Sequence, residues 1–403
     1  MLVSITNTPR PYAWGSRTAI PGFLGAPASG EPQAELWLGA HPANPSKINA
    51  AQPDFPDLAA WISAEPQRAL GTGGQGQSLP FLLKILAAET PLSLQAHPTA
   101  AQAALGFAAE ERAGIPLGAP HRNYKDSFAK PEIIVALKDG FQALSGFRPL
   151  DEVQGVLSTL RMAAAELGVE SLRPLELFET LLSTRNPMET ALGLVLGGQY
   201  QQAIEELTGL VVRLAGSMVA RSGRFASSFA TLRDVAGAYP GDPGIVLTLL
   251  LNKVTLARGE ALFLDAGNIH AYLSGLGIEL MGPSDNVMRG GLTSKHVDLD
   301  ELLRVLDFAP MAPPFLAAEP TGVNITSYRP AGTGFALHRL QDDSQLPLAG
   351  PAVAIAESGE LMVSGALGSS SPRRGEAIYL TPDEQYVRTE GRGELWVATT
   401  SAR

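Results

Sequence analysis

Cysteine is absent from the 403 residues. That excludes disulfides, thiolate zinc sites and cysteine nucleophiles together, and leaves His, Glu, Asp and Gln as the side chains able to hold a metal. Charge is also scarce, at 17% of residues with a formal net value of -10. A chain so poor in cations has no electrostatic footprint for nucleic acid or an anionic membrane, so any phosphate it binds is small and held by a few local cations. No stretch of about 18 or more apolar residues occurs, which excludes an obvious spanning helix. The opening segment MLVSITNTPRPYAWGS lacks the charged and apolar regions of a signal peptide, so a cytoplasmic location is the expectation.

What is present is apolar: 45% of the chain, enough to build more than one core. Residues 1–150 carry short apolar runs, such as Leu79 to Leu86 and Ile133 to Leu137, that suit buried strands, with a short helix expected near Pro98 to Gly106. From Asp151 the pattern turns helical, with Val153, Val156, Leu157, Leu160, Ala164 and Leu167 at helical spacing. Glu176 to Leu182, Met188 to Leu196 and Ala203 to Ala220 continue it, punctuated by Gly168, Pro187 and Gly197-Gly198. Beyond Gly244 a further helical piece is expected before Gly259, and then strands return in EALFLDAGNIHAYL. Ala352 to Ala356, Ala377 to Leu380 and Glu394 to Thr400 read as strands of a smaller β unit.

Several polar residues sit oddly in this frame. In Leu92-Ser93-Leu94-Gln95-Ala96-His97 a strand turns Gln95 and His97 to one face, where they either meet water or converge on an ion. Lys84 lies inside LPFLLKIL, and must either reach out to solvent or face a polar cavity shared with Ser93, where it would bind an anion. Period two also puts Lys130 and Glu132 on one side of a strand that Pro131 confines to a start or edge. On these residues alone a surface ion pair is the simplest reading. His270, in DAGNIHAY, heads a strand and by itself is ambiguous between a structural residue and a ligand. Asp285, Arg289 and Lys295 stand in SDNVMRGGLTSKH, either a solvated loop or a wall presenting cations to a sugar phosphate. His41, His121, His296 and His338 show no comparable pattern.

Taken in order, YAWGS, AELWLGAHP, LPFLLKIL, LSLQAHP, KPE, GNIHAY and SDNVMRGGLTSK resemble the type I mannose-6-phosphate isomerases of the cupin superfamily, from Tyr12 to about residue 308. The resemblance implies a mainly β fold of two cupin-type β-sandwich (jelly-roll) domains with an inserted helical domain. The expected units are 1–150 with 244–310 for the metal-binding domain, 151–243 for the helical insertion and 311–403 for a C-terminal β domain. It implies one Zn2+ per chain on Gln95, His97, Glu132 and His270. It implies substrate contacts from Trp14, Glu35, Lys84, Ser93, Tyr272 and Lys295, and catalytic parts for Arg289, Lys130, Asp285 and Glu279.

The expected reaction is the interconversion of mannose 6-phosphate and fructose 6-phosphate through an enediolate. A small sugar phosphate is then the partner, with no nucleic acid or membrane, in a monomer. Other readings are a cupin isomerase for another sugar phosphate, an iron-dependent cupin oxygenase, or a sugar-phosphate-binding cupin without turnover. The last draws on one departure: many relatives read Asn-His-Lys-Pro-Glu where this chain has Phe128-Ala129-Lys130-Pro131-Glu132.

Overall fold

A computed structural model describes residues 1–49, 53–71 and 78–401. Two ten-stranded antiparallel sheets carry the fold, and most of the helices gather between residues 150 and 247 against the first of them. Among the described residues no helix is long and apolar enough to cross a membrane.

The spine of the first sheet is the twelve-residue strand His270–Met281. Its opening half pairs with Gln95 and with Phe141–Phe147, and its second half with Leu82–Ala88 and Glu132–Ala136. The switch falls at a bulge between Tyr272 and Ser274, followed by Gly275 at φ 122°. A Cβ at Gly275 would lie 2.8 Å from the Phe141 Cα, so only glycine lets the strand bend this closely over its neighbour. The bend folds one strand through both walls of the enclosure and places His270 and Glu279 on the same strand.

The helical region explains which way the site strands face. Leu150–Glu166 presents Val153, Val156, Leu157, Leu160, Ala163 and Ala164 to a core shared with Arg173–Leu181, Pro187–Leu196, Gln201–Ala215 and Ala226–Ala238. Leu94, Ala96, Ile269, Ala271 and Met288 enter that same core. They alternate with Gln95, His97, His270 and Arg289, so burying one set against the helices turns the other set inward. The expected run from Ala203 to Ala220 is two helices, because Gly216 ends the first and the Ser217 side chain caps Met218–Ser222.

The helix expected before Gly259 is confined to Gly244–Leu247 and the 3-10 turn Thr248–Leu250. Leu251–Leu256 is a strand paired with Phe141–Phe147. Its apolar run was ambiguous between the two periods, and a free ladder edge decided it. The helix expected at Pro98 to Gly106 runs instead over Ala100–Arg112, started by a capping box between Thr99 and Gln102.

The second sheet is built on the long strands Ala352–Ser364 and Tyr386–Thr400. The start of the chain joins it from the far end of the sequence: Leu2–Thr6 pairs on one side with Ala377–Leu380 and on the other with Lys47–Ile48. Val3 and Ile5 alternate inward and join a core that also holds Leu36, Leu83, Ile133, Tyr379 and Trp396, so the two sheets share apolar packing. Arg258 ties them further, reaching Glu357 at 2.9 Å and also Glu394.

Candidate active site

Four strands lie side by side at one end of the first sheet. Their register aligns Arg289 with Gln95, Gln95 with His270 and His270 with Ser145, so these side chains share a face. Glu132 begins a strand in the other part of the sheet, opposite Met281 and Leu264, and reaches the two histidines across the interior. Its oxygens lie 3.3 Å from the His97 Nε2 and 3.6 Å from the His270 Nε2.

Each imidazole is fixed from behind. The His97 Nδ1 meets the Asn286 carbonyl at 2.8 Å, and the His270 Nδ1 meets the Asn268 carbonyl at 3.0 Å. If Nδ1 carries the proton in each, both Nε2 atoms are bare and face inward. Both Nε2 atoms and the Glu132 Oε2 are buried with no aligned hydrogen-bond partner. Such groups are costly to leave unpaired in a protein interior.

One donor from each of His97, Glu132 and His270 fits within 4.8 Å of the others. Burial, then the Lys130 charge, lowers His97 to about 4, keeping its ring neutral. Burial would raise the Glu132 carboxyl, but Lys130 and the two histidines hold it well below the usual range. Neutral imidazoles and an anionic carboxylate are the protonation states a divalent metal requires, and N2O donors suit zinc. Gln95 is in register with His270 and on the same face of the sheet.

Around this centre the charges pair. The Lys130 ammonium lies 2.7 Å from the Glu132 Oε1, and both residues are buried. They are therefore no surface ion pair; Glu132 turns inward with the sheet and Lys130 follows by period two. Lys84 does not reach solvent. Cross-strand pairing with Glu279 and Trp37 brings its ammonium 3.0 Å from Glu279 and 3.6 Å from Glu35. Burial opposes its charge, yet the carboxylates of Glu279, Glu35 and Glu132 raise its affinity for the proton.

Burial, with Glu132 and Glu35 nearby, raises Glu279 against the pull of Lys84, making it the carboxyl here most ready to hold a proton. The buried Tyr272 hydroxyl is unpartnered, and burial followed by Glu279 and Glu132 keeps it protonated. Trp14 packs beside Leu92 against the cluster containing Tyr272.

Arg289 and Lys295 differ from these pairs. Among the described residues neither has a carboxylate partner within ion-pair distance, while partial burial lowers both and Arg289 further lowers Lys295. Two neighbouring cations without a carboxylate partner are the arrangement that an anion would satisfy.

Residues 2–150 match the family model described as phosphomannose isomerase type I, catalytic domain. Mannose-6-phosphate isomerase of Escherichia coli K12 is 32% identical over 97% of both chains. The chain belongs to the type I phosphomannose isomerase family. The rat mannose-6-phosphate isomerase is 34% identical over 74% of this chain and 71% of its own. A crystal structure of a Salmonella typhimurium phosphomannose isomerase variant superposes over the full length of both chains with TM-score 0.88 at 29% identity. A zinc-bound mannose 6-phosphate isomerase does so with TM-score 0.88 at 30% identity. The fold is therefore the cupin fold of this family, with its two sheets and inserted helices.

Sequence reading passed over three groups that phosphomannose isomerase geometry brings to the site. His41 is buried, with its Nε2 3.4 Å from the Asp285 Oδ2 and its Nδ1 accepting from the Ala43 N–H at 3.3 Å. Burial lowers its pKa, partly offset by Asp285. Its one local signal was position, in the AHP that follows the strand carrying Glu35 and Trp37. Asp126 and Asn286 likewise join the loops around Asp285 and His97, and neither has a periodic signature.

Proposed function

We propose that this chain interconverts mannose 6-phosphate and fructose 6-phosphate, with one zinc held by His97, Glu132, His270 and Gln95. The observation that carries the reading is the trio of inward, unpartnered donors on His97, His270 and Glu132. Zinc bound there supplies positive charge beside the sugar oxygens on which enediolate charge develops. Lys295 takes the phosphate, whose remote binding energy orients the open-chain sugar, and Arg289 faces the developing oxyanion.

Lys130, on the strand edge beside Glu132, carries the proton between neighbouring carbons, in place of the imidazole that Ala129 cannot supply. His41 and Asp285 form an acid–base pair suited to opening the sugar ring, and the Tyr272 hydroxyl provides a protonated group deeper in the pocket. Lys84, its charge already balanced by Glu279 and Glu35, orders this wall together with Trp14 and Ser93.

We assign the metal-binding unit to 1–150 with 244–310, less the first strand, the helical insertion to 151–243 and the C-terminal unit to 311–403. One chain supplies every group named, which favours a monomer. Its substrate is an ionised metabolite that does not cross membranes unaided, which favours the cytoplasm. A coupled assay on mannose 6-phosphate with metal analysis of the same preparation tests the reading. Turnover tracking zinc occupancy supports it. Zinc with binding but no isomerisation would instead favour a sugar-phosphate-binding cupin.

A further inference from the structure

Pro131 has no N–H, so the ladder between His270–Met281 and Glu132–Ala136 loses its regular continuation beyond Glu132. Gly282 still donates to the Pro131 carbonyl at 3.0 Å, but beyond it side chains take over the pairing. The Asn286 amide nitrogen donates to the Phe128 carbonyl at 3.0 Å and the Asp126 carbonyl at 2.9 Å. Its oxygen accepts from the Lys125 N–H at 2.7 Å. The Asp126 carboxylate accepts from the Ser284 hydroxyl at 2.8 Å, the Asp285 N–H at 2.9 Å and the Asn286 amide at 3.2 Å. Asn286 is 0% exposed, and the segment it occupies has no helix or strand of its own.

The backbone oxygen of this same residue accepts from the His97 ring. His270 differs, since its carbonyl partner, Asn268, lies two residues earlier in its own segment. The orientation of His270 is local. That of His97 depends on a loop far away in sequence, whose place depends on the Asn286 side chain.

We propose that Asn286, locked by Asp126, is a positioning residue of the metal centre: its side chain clamps the 125–128 and 284–286 segments so that its carbonyl aims His97 at Glu132. The clamp also seats Asp285 against His41 and leads into Lys130, so one residue sets the metal ligand and the sugar-facing groups together. This rests on the metal reading above.

The test measures the zinc dissociation constant of the full chain by competition with a chromophoric chelator, beside the melting temperature of the metal-free protein. Asn286→Ala keeps the carbonyl but frees it, and zinc affinity is expected to fall about 10- to 100-fold, the range for lost outer-shell partners. A lower melting temperature with unchanged zinc affinity would mean loop stability alone and overturns the clamp. If Asn286→Ala does not fold, Asp126→Asn carries the test, with an expected loss toward the lower end of that range. A wild-type chain that binds no zinc overturns the metal centre and the clamp with it. Zinc-binding wild type with an equally tight variant overturns the clamp alone.

Discussion

Both ten-stranded sheets enclose an interior. That around His270–Met281 holds Lys84, Glu132 and Glu279, whereas that around Ala352–Ser364 holds Leu340, Leu346, Val363, Val387, Leu395 and Val397. The contrast teaches what a site costs. The apolar interior gains from every side chain it buries, roughly 1.5–3 kcal/mol for each large one. The charged interior gains little from its ion pairs after desolvation and relies on the helices and shared core around it. Buried charge without a stabilising return marks the sheet that performs chemistry.

The comparison breaks most sharply at Glu132. Glu132→Gln is expected to lose bound zinc and essentially all turnover, because it removes a charged donor, and His270→Ala should do the same. Metal analysis with the coupled assay reads both, and full occupancy in both variants would reject the ligand set. Next, Lys130→Met is expected to lower turnover on mannose 6-phosphate about a hundredfold or more while zinc content holds, the range for a lost proton carrier. Near-normal turnover would remove Lys130 from the proton path.

A stability test follows. Lys84→Met leaves Glu279 and Glu35 buried without their cation and should destabilise the fold by about 3–5 kcal/mol in denaturant titration. Replacing Lys84 and Glu279 together, as Met and Gln, should recover part of that loss. No recovery would mean that Lys84 acts by packing instead of charge.

The apolar sheet has its own titrating group. Burial, then Arg329, depresses His338 to about 4 from 6.5, and its Nδ1 lies 2.7 Å from the Ser327 Oγ. Above pH 6.5 the ring is neutral folded and unfolded, and its contribution is fully present. As pH falls from 6.5 to about 4 only the unfolded chain takes the proton, so stability is lost across that window, by at most about 3 kcal/mol. His338→Asn should flatten that part of the profile relative to the parent; identical profiles would reject the assignment. The smallest effect is expected from Ala129→His, which period two places on the face opposite Lys130 and which should change turnover little. A large gain would show that the chain is a weakened enzyme short of a proton carrier.

Local pattern made the metal strand legible. Gln95 and His97 alternate with Leu94 and Ala96, and the helical core buries the apolar pair as the alternation requires. Lys84 within LPFLLKIL announced an interior charge, though not that two carboxylates receive it, since those arrive from other strands. Lys130 and Glu132 were read on the right face and in the wrong solvent, because burial depends on what lies opposite. His41 with Asp285, and Asn286 with His97, were invisible for the same reason: each pair joins distant segments, and no period links them. Leu251–Leu256 turned from expected helix to strand because a neighbour's free edge was available.

The placement of Leu2–Thr6 against Ala377–Leu380 has a consequence in time. During synthesis the first strand can meet Lys47–Ile48 early, but its pairing with Ala377–Leu380 must wait for one of the last strands made, a contact of very high sequence separation. Until then the side of Leu2–Ile5 that Ala377–Leu380 will cover is an open ladder edge, the kind of segment that recruits other chains. A product ending before Ala377 would have its metal-site residues and helices in hand while one side of its first strand stayed open, so shortened chains are expected to aggregate before they lose their catalytic groups.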